Sequence, residues 1–155
     1  MHASSLLVVS VLALTCIPVA AIAQTSKPDV TLDHKRLLDK AMDNLHRARC
    51  GPNLQCIPVT PEERAKPPIT DSQARAIVDA ATISVMAEHC GLDWRGRNFV
   101  PLMKHHRGKL AMSERQMALV GLLHGITMGT LEKDVRATPC SPQRKEQVER
   151  KLLAP

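Results

Sequence analysis

The segment that decides the fold has the sequence SERQMALVGLLHGITMGTL, residues 113–131. It opens with Ser113 and, three residues later, Gln116, a pairing that caps a helix N-terminus because each side chain can bond the other residue's backbone amide. Apolar residues then recur with the spacing of a helical face. They are Met117, Leu119, Val120, Leu122, Leu123, Ile126, Met128 and Leu131. The pattern predicts a long helix with a broad buried face and favours an all-α fold.

A second segment carries equally clear helix signals. Thr70 and Gln73 form another capping box, and an alanine-rich apolar run follows until Gly91 stops it. This helix is apolar over much of its circumference, so we expect it to lie centrally in the fold.

The other predicted helices are shorter. The first is capped by Asp29 or Thr31, the third runs from Asn98 to Arg107, and the last begins at Ser141. The first helix has apolar residues at helical spacing, namely Leu38, Ala41, Met42, Leu45 and Ala48. Residues 50–69 contain five prolines and should form an irregular connector, because proline lacks an amide donor. With no alternating strand pattern, the prediction is an irregular bundle of four to five helices.

Three glycines recur every four residues in the 113–131 helix, at Gly121, Gly125 and Gly129. Each costs a helix about 1 kcal/mol relative to alanine. In a membrane this spacing is typical of helix pairing, but charged residues bound a segment too short to span. We therefore expect the glycines to let this helix approach the alanine-rich second helix closely.

The N-terminal segment has the features of a secretory signal peptide. Residues 1–23 contain no Asp, Glu, Lys or Arg, and an apolar run leads to Ala21-Ile22-Ala23, a small-x-small cleavage signal. Two alternatives are an N-terminal membrane anchor, which Pro18 interrupts, and lipoprotein processing at Cys16. Cleavage after Ala23 predicts a single helical domain of residues 24–155 in the periplasm or outside the cell, too short for two domains.

Four cysteines remain in that domain, and an even number in an exported chain predicts disulfides. Three pairings are open to them. We favour Cys50–Cys56, which clips a tight turn, together with Cys90–Cys140, which joins two distant helix ends. No Cys-x-x-Cys motif occurs, so thioredoxin-like redox chemistry, paired zinc knuckles and c-type haem attachment are not indicated.

The strongest candidate for a binding site is a basic segment, Trp94–Lys109. The formal net charge of +6 belongs wholly to residues 24–155, and five of the fixed cations lie in this segment with two histidines. The candidate binding residues are Arg95, Arg97, Lys104, His105, His106, Arg107 and Lys109. Export argues against nucleic acid, so we expect an acidic protein, an anionic envelope polymer or a lipid headgroup as the partner. The alternative is a solvated helix end, where cations meet the negative end of the helix dipole.

A second candidate function is metal or haem carriage. Soft thioether and imidazole ligands suit copper, and His124 and Met128 share a helical face, with His105 and His106 as further candidates. His124 could equally be an axial ligand of a non-covalent haem. The simpler interpretation is a histidine bonded within the core and methionines that fill it, so no metal or cofactor is expected.

Enzyme signatures are weak throughout the chain. Ser113 is better used as a helix cap than as a nucleophile, and no paired carboxylates or glycine-rich phosphate loop stands out. An enzyme without a recognisable motif remains a third alternative. The sequence therefore predicts an exported, non-enzymatic interaction protein.

Overall fold

The fold is that of a computed structural model, which describes residues 32–153. These residues form no β-strand, only one isolated bridge between Arg49 and Gln55, so the all-α prediction is confirmed. A 3₁₀ turn (Leu45–Arg47) follows the first helix, and a π-turn (Arg95–Phe99) leads into the fourth. The helices are α1 (His34–Asp43), α2 (Pro61–Ala65), α3 (Asp71–His89), α4 (Val100–Gly108), α5 (Glu114–Arg136) and α6 (Pro142–Leu153).

Helices α3 and α5 form the centre of the bundle and run parallel to each other. Near their N-terminal ends, the Gln116 amide donates to the Pro68 carbonyl at 2.6 Å. Further along both helices, Oγ of Ser84 lies 3.0 Å from Nε2 of His124. Parallel neighbours cannot be joined by a tight turn, so the π-turn and α4 carry the chain back to the start of α5.

The buried apolar residues form two groups along this helix pair. In the larger group, α1 packs on the N-terminal halves of α3 and α5. In the smaller group, α6 packs on the C-terminal half of α3 through Val148 and Leu152, which contact Ala87. A small chain with a divided core has limited apolar surface to bury, so other links must contribute to its stability.

Two disulfides supply such links, and both pairings match the prediction. Cys50–Cys56 closes the first part of the connector, and Cys90–Cys140 joins the end of α3 to the segment before α6. Their Cα atoms are 4.9 and 5.4 Å apart. Each bridge typically stabilises a fold by about 2–4 kcal/mol.

Helix starts agree with the capping signals, with one exception. The boxes at Thr70 and Ser113 are formed as predicted. The first helix, however, is capped by Asp33, whose carboxylate accepts from the amides of Lys35 and Arg36. The prediction of Asp29 or Thr31 as its cap is therefore wrong. Asp33 is the cap because it directly precedes the first helical residue, His34, so that its side chain reaches the amides of the first turn.

The connector is more regular than predicted. Thr60 and Glu63 form a capping box that starts the short helix α2. The Arg115 guanidinium binds the Glu63 carboxylate at 2.7 Å and also donates to the carbonyls of Ile57 and Pro58. This one side chain fixes the connector to the start of α5.

The glycine stripe of α5 does not contact α3. A methyl group added at Gly121, Gly125 or Gly129 would meet no atom of the described chain within 4 Å. The buried residues of α5, such as Leu119 and Leu123, lie on the opposite face. The prediction of close helix contact through these glycines is therefore wrong, because periodicity defines a face without saying which way it points.

The predicted signal peptide, residues 1–23, and its alternative processing site at Cys16 lie outside the described residues. Within residues 32–153, no helix is long and apolar enough to cross a membrane. Two disulfides are compatible with an exported protein.

We predict that Gly125→Ala raises the free energy of unfolding by about 0.5–1 kcal/mol, because alanine loses less backbone entropy in a helix and the new methyl group has space. Urea denaturation measures this change. The matched control is Gly91→Ala, which should lower stability because Gly91 has a φ of +67°. A loss of stability at Gly125 would contradict the open face seen here.

Candidate anion-binding surface

The predicted basic segment begins with a turn that depends on glycine. The Asp93 carboxylate accepts a hydrogen bond of 2.8 Å from the backbone amide of Gly96. Any side chain at Gly96 would collide with that carboxylate. The π-turn therefore starts at Arg95, three residues before the predicted start at Asn98, and it continues without a break into α4.

The π-turn directs its two aromatic rings onto a buried histidine. His124 is only 2% exposed, and its ring stacks on Trp94 with centroids 5.9 Å apart. The centroid of the Phe99 ring lies 4.8 Å from that of the same imidazole, and Phe99 packs edge-on against Trp94. Both aromatic residues of the chain thus attach the basic segment to α5.

A chain of hydrogen bonds completes this attachment. The Asn98 amide donates to the Ala80 carbonyl at 2.6 Å and to the Ser84 hydroxyl oxygen at 2.9 Å. The Ser84 hydroxyl is then free to donate to Nε2 of His124 at 3.0 Å. Burial lowers the pKa of His124 to about 4. His124 is therefore neutral near pH 7.

Five of the seven predicted binding residues are exposed, and one of them, Arg107, is paired with Glu114. The other four are Arg95, Lys104, His105 and Lys109. None of the three fixed cations in this set forms an ion pair with a carboxylate in residues 32–153. We call these four residues the open basic set.

The other three predicted residues are occupied elsewhere. His106 is 3% exposed, and its Nδ1 bonds the Leu102 carbonyl at 2.9 Å. Arg97 donates to the Glu149 carboxylate of α6 at 2.9 Å. The third residue, Arg107, forms a bidentate ion pair with Glu114 across the turn between α4 and α5.

These pairings change the expected surface in a definite way. The hydrogen bonds from Arg107 lower the pKa of Glu114, so that this carboxylate stays charged and neutralises the guanidinium. The Glu149 carboxylate neutralises Arg97, whose Nη1 lies 2.9 Å away. Neither arginine is a free cation, and His106 contributes to packing rather than to the surface.

The arrangement does not favour the metal or haem alternative. The Nε2 atom of His124 is engaged by Ser84, and Trp94 and Phe99 both pack against the imidazole ring. Met128 is half-buried on the same helix. No group of three His, Cys, Asp or Glu side chains suited to a metal ion occurs in the part of the chain that is described.

Sequence reasoning missed Ser84, Asn98 and Glu149. Ser84 was one polar residue in an apolar helix, and its position on the α5-facing side was the available signal. Glu149 is separated by 52 residues from Arg97, and no local pattern links them. Comparison with protein-family models, curated proteins and solved structures finds no match to this chain.

We predict that Gly96→Ala lowers the free energy of unfolding by about 1 kcal/mol, the usual value of a capping hydrogen bond, because the Asp93 carboxylate must move away. Urea denaturation followed by the fluorescence of Trp94, the single tryptophan, measures this loss. Gly108→Ala is the control, since its new methyl group meets no atom of residues 32–153 within 4 Å. Equal stabilities for the two variants would refute the role of Gly96.

We predict that His124 makes the fold sensitive to mild acid. The unfolded chain protonates this imidazole below about pH 6.5, whereas the folded chain does so only below about pH 4. The contribution of His124 to the free energy of unfolding is therefore fully present above about pH 6.5. It falls as the pH drops towards 4 and stays constant below that value. The total loss is at most about 3 kcal/mol.

Urea denaturation between pH 7 and pH 5 tests this expectation. The variant His124→Gln should be less stable at pH 7 and should lose much of the pH dependence. The control His105→Gln removes an exposed histidine and should keep the pH dependence of the parent. The same slope in His124→Gln and in the parent would refute the assignment.

Proposed function

We propose that this chain is an exported, non-enzymatic binding protein that recognises an anionic partner, either an acidic protein or an anionic envelope polymer. The binding residues are the open basic set, Arg95, Lys104, His105 and Lys109. One observation carries the proposal, namely that these exposed cations lie in a stretch, residues 94–113, that contains no Asp or Glu.

The charge of this stretch is only partly explained by helix electrostatics. Cations near the end of α4 are favoured by the helix dipole, which accounts for Lys104 and Lys109 without a partner. Arg95 precedes the helix, where the dipole disfavours a positive charge. Its exposed guanidinium therefore supports a binding role, since its planar fork suits carboxylate and phosphate groups.

The surface is also organised before binding. Trp94, Asn98 and Phe99 fix the π-turn to the buried Ser84–His124 pair. A partner would therefore not have to order this backbone, which reduces the entropic cost of association. The net charge of +6 adds long-range attraction for an anionic partner.

The buried Ser–His pair supports the non-enzymatic part of the proposal. A serine nucleophile must reach its substrate, whereas Ser84 is 0% exposed and accepts from Asn98. His124 holds this hydroxyl in place within the core. The two disulfides favour an oxidising compartment and thus the exported part.

The test is the double variant Arg95→Glu and Lys104→Glu. We expect it to lose at least about tenfold in affinity for an anionic envelope polymer at low salt, an effect that salt should weaken because the interaction is between exposed charges. Polymer affinity chromatography and capture from envelope fractions measure the loss. Arg97 is not used, because its substitution would also break the link to Glu149.

The matched control is Lys40→Glu with Lys66→Glu. It changes the net charge by the same amount at exposed positions on α1 and after α2. Equal losses in the two double variants would show that only total charge matters, and no loss in the first would remove the open basic set as a binding site.

A further inference from the structure

The loop closed by Cys50–Cys56 and the residue directly after it each expose a large aliphatic side chain. Leu54 is 63% exposed and Ile57 is 64% exposed, the highest values for large apolar side chains in residues 32–152. Single exposed leucines are ordinary on protein surfaces. Here one lies within the covalently closed loop and the other directly after it, three positions along the chain, and together they form a localised apolar feature that the open basic set does not include.

Covalent and hydrogen bonds hold this loop and the residue after it in place. Besides the disulfide, the amide of Cys50 donates to the Leu54 carbonyl at 2.8 Å. The Ile57 carbonyl accepts from the Arg115 guanidinium at 2.8 Å. The two side chains are therefore held out into solvent by the covalent and hydrogen-bonded structure of the loop.

The charges around the loop are positive. No Asp or Glu occurs in residues 44–61, while Arg47 and Arg49 are exposed. The nearest acidic residues along the chain are Asp43, Glu62 and Glu63. Asp43 and Glu63 are paired with arginines, and Glu62 is exposed in the first turn of α2. The loop therefore combines exposed aliphatic groups with cations whose charge is not cancelled locally.

A further exposed aliphatic residue lies towards the same end of the bundle. Arg115, which holds the Ile57 carbonyl, is the second residue of α5. Leu110, 41% exposed, lies in the short segment that leads into that helix. The start of α5 thus brings together two segments with exposed apolar side chains.

We infer that this end of the bundle docks on an anionic lipid surface, with Leu54 and Ile57 entering the headgroup boundary and Arg47 and Arg49 contacting the headgroups. Aliphatic side chains beside cations are the combination that binds such an interface. A protein partner is less favoured, because aliphatic residues such as leucine are under-represented among protein binding hot spots, which are rich in Trp and Tyr. The inference uses none of the open basic set and does not depend on the proposed function.

Co-sedimentation with vesicles tests the inference, using phosphatidylcholine mixed with phosphatidylglycerol and, separately, phosphatidylcholine alone. The chain of residues 24–155 should bind the mixed vesicles more strongly. The double variant Leu54→Ser and Ile57→Ser should lose about tenfold or more in partitioning, since each side chain gives up its apolar burial. Arg47→Gln with Arg49→Gln should reduce binding to the mixed vesicles and leave binding to the phosphatidylcholine vesicles unchanged.

The matched control is Val100→Ser, which removes an aliphatic side chain, 37% exposed, from the first turn of α4. It should bind as the parent does, and circular dichroism should show that all variants remain folded. The inference is overturned if the parent fails to bind mixed vesicles, or if the double serine variant binds them like the parent. Capture of an acidic protein through Leu54 without vesicle binding would also overturn it.

These outcomes are separate from those of the proposed function. The Arg95→Glu and Lys104→Glu variant should still show the additional loss when Leu54 and Ile57 are replaced. Vesicle binding that depends on Arg95 and Lys104 and not on the loop would overturn the inference while supporting the open basic set.

Discussion

The contact between Ser84 and His124 is the constraint on which the centre of the fold depends. It joins two parallel helices at a point where both side chains are almost completely buried. A buried polar group without a partner costs about 1–3 kcal/mol, so the register of α3 against α5 has to bring these two groups within hydrogen-bond distance. Among the described residues, no buried side-chain nitrogen or oxygen atom lacks a partner.

This contact also explains why the segment after α3 has its unusual shape. Parallel helices require a long return connection, and that connection covers His124 while Asn98 completes the bonding of Ser84. Each hydrogen bond in a π-helical turn spans one residue more than in an α-helix, and this wider turn lets both Trp94 and Phe99 reach the imidazole. The exposed cations of the segment are consequently fixed by what lies beneath them.

Local signals in the sequence predicted much of the fold. The capping boxes at Thr70 and Ser113 depend on residues three apart, so they form wherever the chain enters a helix. The disulfides followed from the number of cysteines and the length of the loops they close. Helix α2 was missed because five prolines in the connector outweighed the Thr60–Glu63 signal.

The candidate site was predicted less completely, for a physical reason. Exposure of Arg95 and Lys104 follows from charge alone, since an unpaired cation is rarely buried. Burial of His106 depends on how α4 packs on the bundle, and the Gly121–Gly129 stripe faced away from the predicted side for the same reason. Such features are set by contacts between distant segments, which periodicity does not specify.

The number of free cations is thus a property of the tertiary structure rather than of the basic segment. Glu149 neutralises Arg97 only because α6 lies beside the π-turn. Helix α6 is held there by two buried apolar side chains, Val148 and Leu152, and by the Cys90–Cys140 bridge at its start. The charge that the basic segment presents to a partner therefore depends on the position of α6 as well as on the residues of the segment itself.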